Sequence, residues 1–199
     1  MAYAGKMAAR GSYAKGIAKR DEILTTALRV IAERGYRKTS LRELATAVGL
    51  SQTGLLHYFG TKEDLFIEVL RRRDEVDMDA YGVQLNHNDV IRGILDVVRH
   101  NTDVPGLMHL YTQFSAEASE ETHPAHGYFQ ERTAFFQQTV ADAIKAQQAA
   151  GELPGSLDAA HIALMLQASI DGLQSQWLMD NSLDMAAHLS RLWDALVRA

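Results

Sequence analysis

The chain of 199 residues contains no cysteine. That excludes disulfides, thiolate zinc sites, iron–sulfur clusters and a cysteine nucleophile together. It also lacks any run of about 18 or more apolar residues, so no transmembrane helix and no membrane partner are expected. The opening stretch MAYAGKMAARGSYAKGIAKR has no apolar segment of the secretory type, and the expected location is cytoplasmic. Proline is scarce, three in all, and no apolar/polar alternation bounded by turns occurs, which points to an all-α chain. Catalytic motifs are missing too: there is no Gly-rich phosphate loop, no G-x-S-x-G elbow and no H-E-x-x-H. Neither enzymatic activity nor a cofactor is therefore expected. His123 and His126, spaced as a metal-holding pair near Glu117, Glu120 and Glu121, are separated by Pro124. Proline there implies a helix start or loop, so the expectation is a solvated loop without metal.

A chain with 20 basic and 25 acidic residues and a net charge of −5 would seem a poor match for a polyanion. The distribution reverses that impression. Residues 1–60 hold ten basic side chains against Asp21, Glu22, Glu33 and Glu43, a local charge of +6, leaving −11 over residues 61–199. The first twenty residues have five basic and no acidic side chains among Gly, Ala and Ser, and residues 1–16 read as a flexible basic arm or a solubilising leader. One part of the chain is attracted to polyanions and the other is not.

Ile23, Leu24, Ala27 and Ile31 mark one face of a first amphipathic helix ended by Gly35. In TSLRELATAVGLSQTGLLHYFGTKEDL, residues 39–65, Ser40 and Glu43 have capping-box spacing. Leu41, Leu44, Ala45 and Val48 form the apolar face of the short helix that follows. Gly49 supplies a tight turn, Ser51 caps a second helix from Gln52 to about Tyr58, and Leu55 and Phe59 face inward. Thr61, with Asp64 three residues on, opens a bracing helix through about Asp79. Two short helices joined by a Gly-containing turn form a helix-turn-helix over about residues 40–59. Ser51, Gln52, Thr53, Gly54 and His57 are short or hydrogen-bonding and none is acidic, as a helix entering a major groove requires.

Taken as L-x-x-L-A-x-x-V-G-L-S, L-x-H-Y-F and K-E-x-L, with Ile23, Ala27, Gly35 and Thr39 before them, these residues resemble the TetR family of transcriptional regulators. The resemblance covers about residues 17–77. It implies a homodimeric, all-helical protein with an N-terminal three-helix DNA-binding domain, and a ligand-sensing and dimerising helical bundle over residues 78–199. By position it implies that Arg42 reaches a base edge or a phosphate, that Gln52, Thr53 and His57 face the groove, and that Thr39, Ser51, Tyr58 and Lys62 contact phosphates, with Ser40 beside them. Two positions depart from the family. Leu56 stands where a tyrosine is common, free to meet a thymine methyl or to add to the core, and Gly54 replaces a frequent Thr, Ser or Ala.

Past residue 80 the resemblance fades. Tyr81 to Asn88 reads as a loop, and helices are expected at 89–102, 105–119, 124–150, 157–180 and 183–198. The last two carry Ile162, Leu166, Ile170 and Leu173, and Met185, Leu189, Leu192, Trp193 and Leu196, the expected dimer interface. Met108, Tyr111, Phe114, Tyr128, Phe129, Phe136, Met165 and Trp177 are either plain core or the wall of an adaptable apolar pocket. His109, Gln113, Asp171 and Gln174 are the polar groups that would orient a ligand in it. The expected function is a repressor that binds a pseudo-palindromic operator in double-stranded DNA and is released by a small-molecule effector. A ligand-independent regulator, an activator and, more remotely, an all-helical enzyme remain as alternatives.

Overall fold

The computed structural model describes the backbone of residues 2–85 and 90–198 and the side chains of residues 15–81 and 90–198. The described residues form α1 (Ala2–Arg34), a 3-10 turn (Tyr36–Lys38), α2 (Leu41–Ala47), α3 (Gln52–Phe59), α4 (Lys62–Leu85), α5 (Val90–Asp103), α6 (Pro105–Glu117), α7 (His126–Ala149), α8 (Ala159–Trp177) and α9 (Met185–Arg198), with no strand among them. The backbone of the segment expected as an arm is helical from Ala2 and continuous with α1. Its alanines favour that state. Of the loop expected from Tyr81, residues 81–85 continue α4, and residues 86–89 lie outside the described residues.

Helix boundaries follow from local chemistry. Ser40 Oγ accepts from the Glu43 amide at 3.2 Å while Glu43 Oε2 accepts from the Ser40 amide at 2.8 Å, closing the capping box of α2. Gly49 takes φ 68°, a left-handed value that side chains other than glycine rarely adopt, and turns the chain so that the Leu50 amide reaches Ala45 O at 2.8 Å. Ser51 Oγ then accepts from the Gly54 amide at 3.0 Å, and Thr61 and Asp64 cap α4 reciprocally at 3.0 and 3.1 Å. Pro105 opens α6, where its missing N–H costs nothing.

The helices bury two apolar clusters. One joins Ile23, Ala27 and Ile31 of α1, Leu44, Leu55 and Phe59 of the helix-turn-helix, and Leu65, Phe66 and Leu70 of α4 to Leu107, Leu110, Tyr111 and Phe114 of α6. The other gathers α5, α7, α8 and α9 around Ile94, Ile144, Leu166 and Leu189, with Met108 of α6. Helix α6 thus belongs to both clusters, and α4 runs without a break through 77/78, where the sequence reading divides the domains. Gly106 explains how closely the clusters meet. A Cβ there would stand 2.0 Å from Ile31 O and 2.8 Å from Gly35 Cα, so the start of α6 touches the end of α1 backbone to backbone.

Candidate nucleic-acid interface and the cavity behind it

On α3, Leu55 and Phe59 are buried while Gln52, Thr53 and His57 are exposed, with Leu56, Tyr58 and Gly54 between those extremes. The helix therefore presents its hydrogen-bonding side chains outward on a fixed backbone. Arg42 and Ser40 are exposed on and before α2. Thr39 is in a different position: it is buried, and its hydroxyl donates to Gly35 O at 2.8 Å. Lys62 starts α4 with its ammonium 5.3 Å from the centre of the Phe66 ring and 5.9 Å from that of Tyr36.

Two basic residues of the N-terminal region hold this motif together. Lys19 Nζ donates to Val48 O at the end of α2, at 2.9 Å. Arg20 donates to Tyr58 O in the last turn of α3, pairs with Glu68 of α4 and lies 4.5 Å over the Phe59 ring. Both satisfy carbonyls at helix C-termini, where cations are favoured. Nothing in their spacing distinguishes them from the lysines and arginines around them.

Behind the motif, α4, α5, α7 and α8 enclose a cavity of about 720 Å³, within the size range of small-molecule sites. Met78, Ile94, Val98, Phe136, Val140 and Ile170 give its apolar wall; Arg73, Asp74, Asp77, Asn101, Arg132, Gln167, Asp171 and Gln174 give its polar one. Of the residues expected in a pocket, Tyr128, Phe136, Asp171 and Gln174 line this cavity. Tyr111 borders it through its hydroxyl. The others are placed elsewhere: Met108 and Trp177 in the C-terminal cluster, Phe114 and the half-buried Phe129 against the N-terminal one, Met165 and His109 outward, and Gln113 bonded to Glu117 at 2.9 Å. The arginine and aspartate walls went unread in the sequence because Arg71–Asp79 has the composition of a solvated face.

A partly buried network connects the cavity to both clusters. Tyr128 Oη donates to Asp74 Oδ2 at 2.6 Å, and Arg132 donates to Asp74 at 3.1 Å and to Tyr111 Oη at 3.1 Å. Tyr111 Oη in turn donates to Asp171 Oδ1 at 2.9 Å. Burial, and the neighbouring carboxylates, push both tyrosines well above their usual pKa, so they act as donors at neutral pH. Burial opposes the charge of Arg132, but Tyr111, Asp74 and Tyr128 outweigh it and raise its pKa further. Burial also lifts Asp171 and Asp77 above the ordinary aspartate value, against the Tyr111 hydrogen bond and Arg132 in the first case and Arg73 and His100 in the second. On the other side of α6, Phe114 meets Tyr36 and Phe66 edge-on at 5.9 and 6.1 Å. One helix touches the cavity network and the core beneath the helix-turn-helix.

The stripes expected at a dimer interface are largely occupied within the chain. Ile162, Leu166, Met185, Leu189 and Trp193 are buried in the C-terminal cluster, with Leu173, Leu192 and Leu196 partly buried against it and Ile170 on the cavity wall. The outer face of α8 instead carries Leu164, Met165, Ala168 and Gly172, followed by Met179, which is 81% exposed. His123 and His126 serve their loop: His126 Nδ1 is 2.8 Å from Ala118 O, and His123 Nδ1 accepts from the Ala125 amide at 3.2 Å.

Comparison with known proteins adds a sequence and a structural likeness. A family model described as "Bacterial regulatory proteins, tetR family" matches residues 23–69, and one described as "BetI-type transcriptional repressor, C-terminal" matches residues 90–199. The chain is 38% identical over 82 residues to the HTH-type transcriptional repressor AcnR of Corynebacterium efficiens, a match covering 41% of this chain and 43% of that relative. The chain thus matches less than half the length of that relative. A putative TetR-family transcriptional regulator from Rhodococcus sp. superposes with a TM-score of 0.72 at 25% identity, over 90% of this chain and 98% of the other. A putative transcriptional regulator from Saccharomonospora viridis, in complex with choline, does so with a TM-score of 0.69 at 28% identity, over 88% and 95%.

Proposed function

The chain belongs to the TetR family of transcriptional regulators, and from that premise we propose that it represses transcription as a homodimer on a pseudo-palindromic operator and leaves the DNA when a small molecule fills the cavity. The observation that carries this reading is the double role of α6. Through Gly106 and Phe114 it bears on α1 and the helix-turn-helix core, and through Tyr111 it joins the cavity network. A ligand that displaces Asp171 or Arg132 moves Tyr111, and rigid packing passes that motion to α1.

In this reading Gln52, Thr53 and His57 read base edges, with Gly54 and Leu56 beside them at close approach. Ser40, Arg42, Ser51, Tyr58 and Lys62 meet phosphates. Thr39 supports the turn from within. Residues 17–77 are the DNA-binding part and 78–199 the sensing part, a division of labour across a continuous α4. The outer face of α8, with Leu164, Met165, Ala168 and Gly172, is the surface for a second copy, since small and apolar residues there let two helices approach. Dimerisation sets two α3 helices about 34–36 Å apart, the separation of successive major grooves on one DNA face. The choline held by the Saccharomonospora viridis relative supports a small-molecule occupant for the cavity. No helix among the described residues is long and apolar enough to cross a membrane, and operator binding assigns the protein to the cytoplasm.

The test is selection of bound fragments from genomic DNA, followed by a mobility shift on the recovered palindrome. Binding should show one preferred sequence, a linear fall of log affinity with log salt and one dimer per site. Sequence-independent binding would refute the operator reading. Occupancy by a single chain would refute the homodimer.

A further inference from the structure

The polar wall of the cavity specifies the chemistry of its occupant, given the reading of the cavity as the effector site. Helix α8 turns Gln167, Asp171 and Gln174 toward the cavity, residues four and three apart on one helical face. Gln167 and Gln174 are 7% and 5% exposed, and among the described residues the Oε1 of each has no hydrogen-bond partner. Asp171 accepts a single hydrogen bond, from Tyr111, and among the described residues no cationic side chain lies within ion-pair distance of it. Three residues with spare acceptor capacity thus follow one another over about two turns of one helix face.

Charge around the cavity is uneven in the same sense. At its mouth Arg71 pairs with Glu131 and Arg72 with Glu75, at 3.0 and 3.1 Å. Deeper in, the lining carboxylates Asp74, Asp77 and Asp171 outnumber the lining cations Arg73 and Arg132, and His100 stands 3.8 Å from Asp77. Among the described residues Asp171 is left without a direct ion-pair contact, which is costly in a partly dehydrated site. The neighbouring aromatic faces do not offer a cage for a cation without N–H groups. Guanidinium groups already cover them: Arg71 lies over Tyr128 at 5.0 Å, and Arg132 and Arg73 over Tyr111 at 4.7 and 5.8 Å.

We propose that the cavity binds a protonated primary amine on an apolar body, its three ammonium N–H groups donating to Asp171 and to the amide oxygens of Gln167 and Gln174. The ammonium supplies the missing positive charge and satisfies the orphaned acceptors, while Met78, Ile94, Val98, Phe136 and Val140 receive the apolar body. A quaternary ammonium brings the charge but leaves the amide oxygens unpaired, and a neutral alcohol brings a donor without the charge. A carboxylate meets Asp171 as a like charge.

The test is calorimetric titration of the full chain with alkylamines from butylamine to dodecylamine and with 2-phenylethylamine, each beside its N,N,N-trimethyl derivative, its alcohol and its carboxylate. The best amine should bind at least about tenfold tighter than its three counterparts. Asp171→Asn, which keeps the size and the Tyr111 contact, should weaken the amine by at least about tenfold and leave the alcohol unchanged; Gln174→Met should weaken the amine less. A melting temperature without ligand no lower than that of the wild type establishes that both variants are folded. Equal binding of alcohol, carboxylate or trimethyl derivative, or no amine binding anywhere in the series, would overturn the proposed class. Amine binding unchanged by both Asp171→Asn and Ile170→Trp, which crowds the cavity wall, would overturn the cavity itself as the site.

Discussion

Helices α3 and α8 both carry side chains proposed to meet a partner, and they do so in opposite ways. Gln52, Thr53 and His57 of α3 stand in water, so they cost nothing while the operator is absent; what must be exact is the backbone beneath them. Ser51, Gly49, Lys19 and Arg20 hold that backbone through caps and carbonyl contacts. On α8 the polar groups are buried and incompletely partnered, a standing cost that an occupant relieves. A reader of DNA is built as a rigid frame with free side chains. A sensor is built as a packed frame with unsatisfied ones.

The largest way to break this contrast is at the joint between the two. Gly106→Ala places a methyl against Ile31 O, and it should destabilise the protein by about 2–3 kcal/mol in urea unfolding and weaken the operator complex out of proportion to that loss. Next is the base-reading surface: Gln52→Ala should cost about 1–3 kcal/mol at particular base pairs without changing stability. Lys62→Ala should instead weaken every sequence alike and reduce the salt slope by about 1. Arg20→Ala, which removes the clamp on the Tyr58 carbonyl, should cost about 1–2 kcal/mol of stability, read from the denaturation midpoint. By contrast Gln174→Leu on α8 should leave stability within about 1 kcal/mol of wild type, or raise it, because it deletes an orphaned acceptor.

The smallest effect is one of pH. Burial holds Asp171 and Asp77 above the ordinary aspartate value of 3.8, so the folded chain binds their protons more tightly than the unfolded one. Their contribution therefore favours the folded state at low pH and is lost as pH climbs from about 3.8 through the raised values. Asp171→Asn should flatten that decline in a series of melting curves. A decline of wild-type steepness in the variant would mean that Asp171 is not the group responsible.

The helix-turn-helix could be read directly because its geometry is local: caps, turn glycine and inward leucines all fall within residues 39–65, and each proved to make the contact its spacing suggested. Helix positions in the second half were legible for the same reason, since Pro105 and the Gly151 turn mark their ends. The cavity was not. Its walls come from α4, α5, α7 and α8, and Arg73 and Asp77 in the chain look the same as the exposed charges beside them. The apolar stripes of α8 and α9 were visible, but periodicity reports only that a face is buried. It does not report whether the covering surface belongs to the same chain, and for Ile162, Leu166 and Leu189 it does. The roles of Lys19 and Arg20 were hidden likewise, since a basic side chain that caps a distant carbonyl is indistinguishable in sequence from one awaiting a phosphate.

The absence of cysteine makes the decisive measurement straightforward. A spin label on Ala47→Cys, exposed at the end of α2, reports the distance between the two helix-turn-helix motifs of a dimer. Coupling through α6 predicts one narrow distance on operator DNA, a different one when an amine occupies the cavity, and in Asp171→Asn that change only at amine concentrations at least about tenfold higher. Operator release by the amine with the label distance unchanged would contradict it.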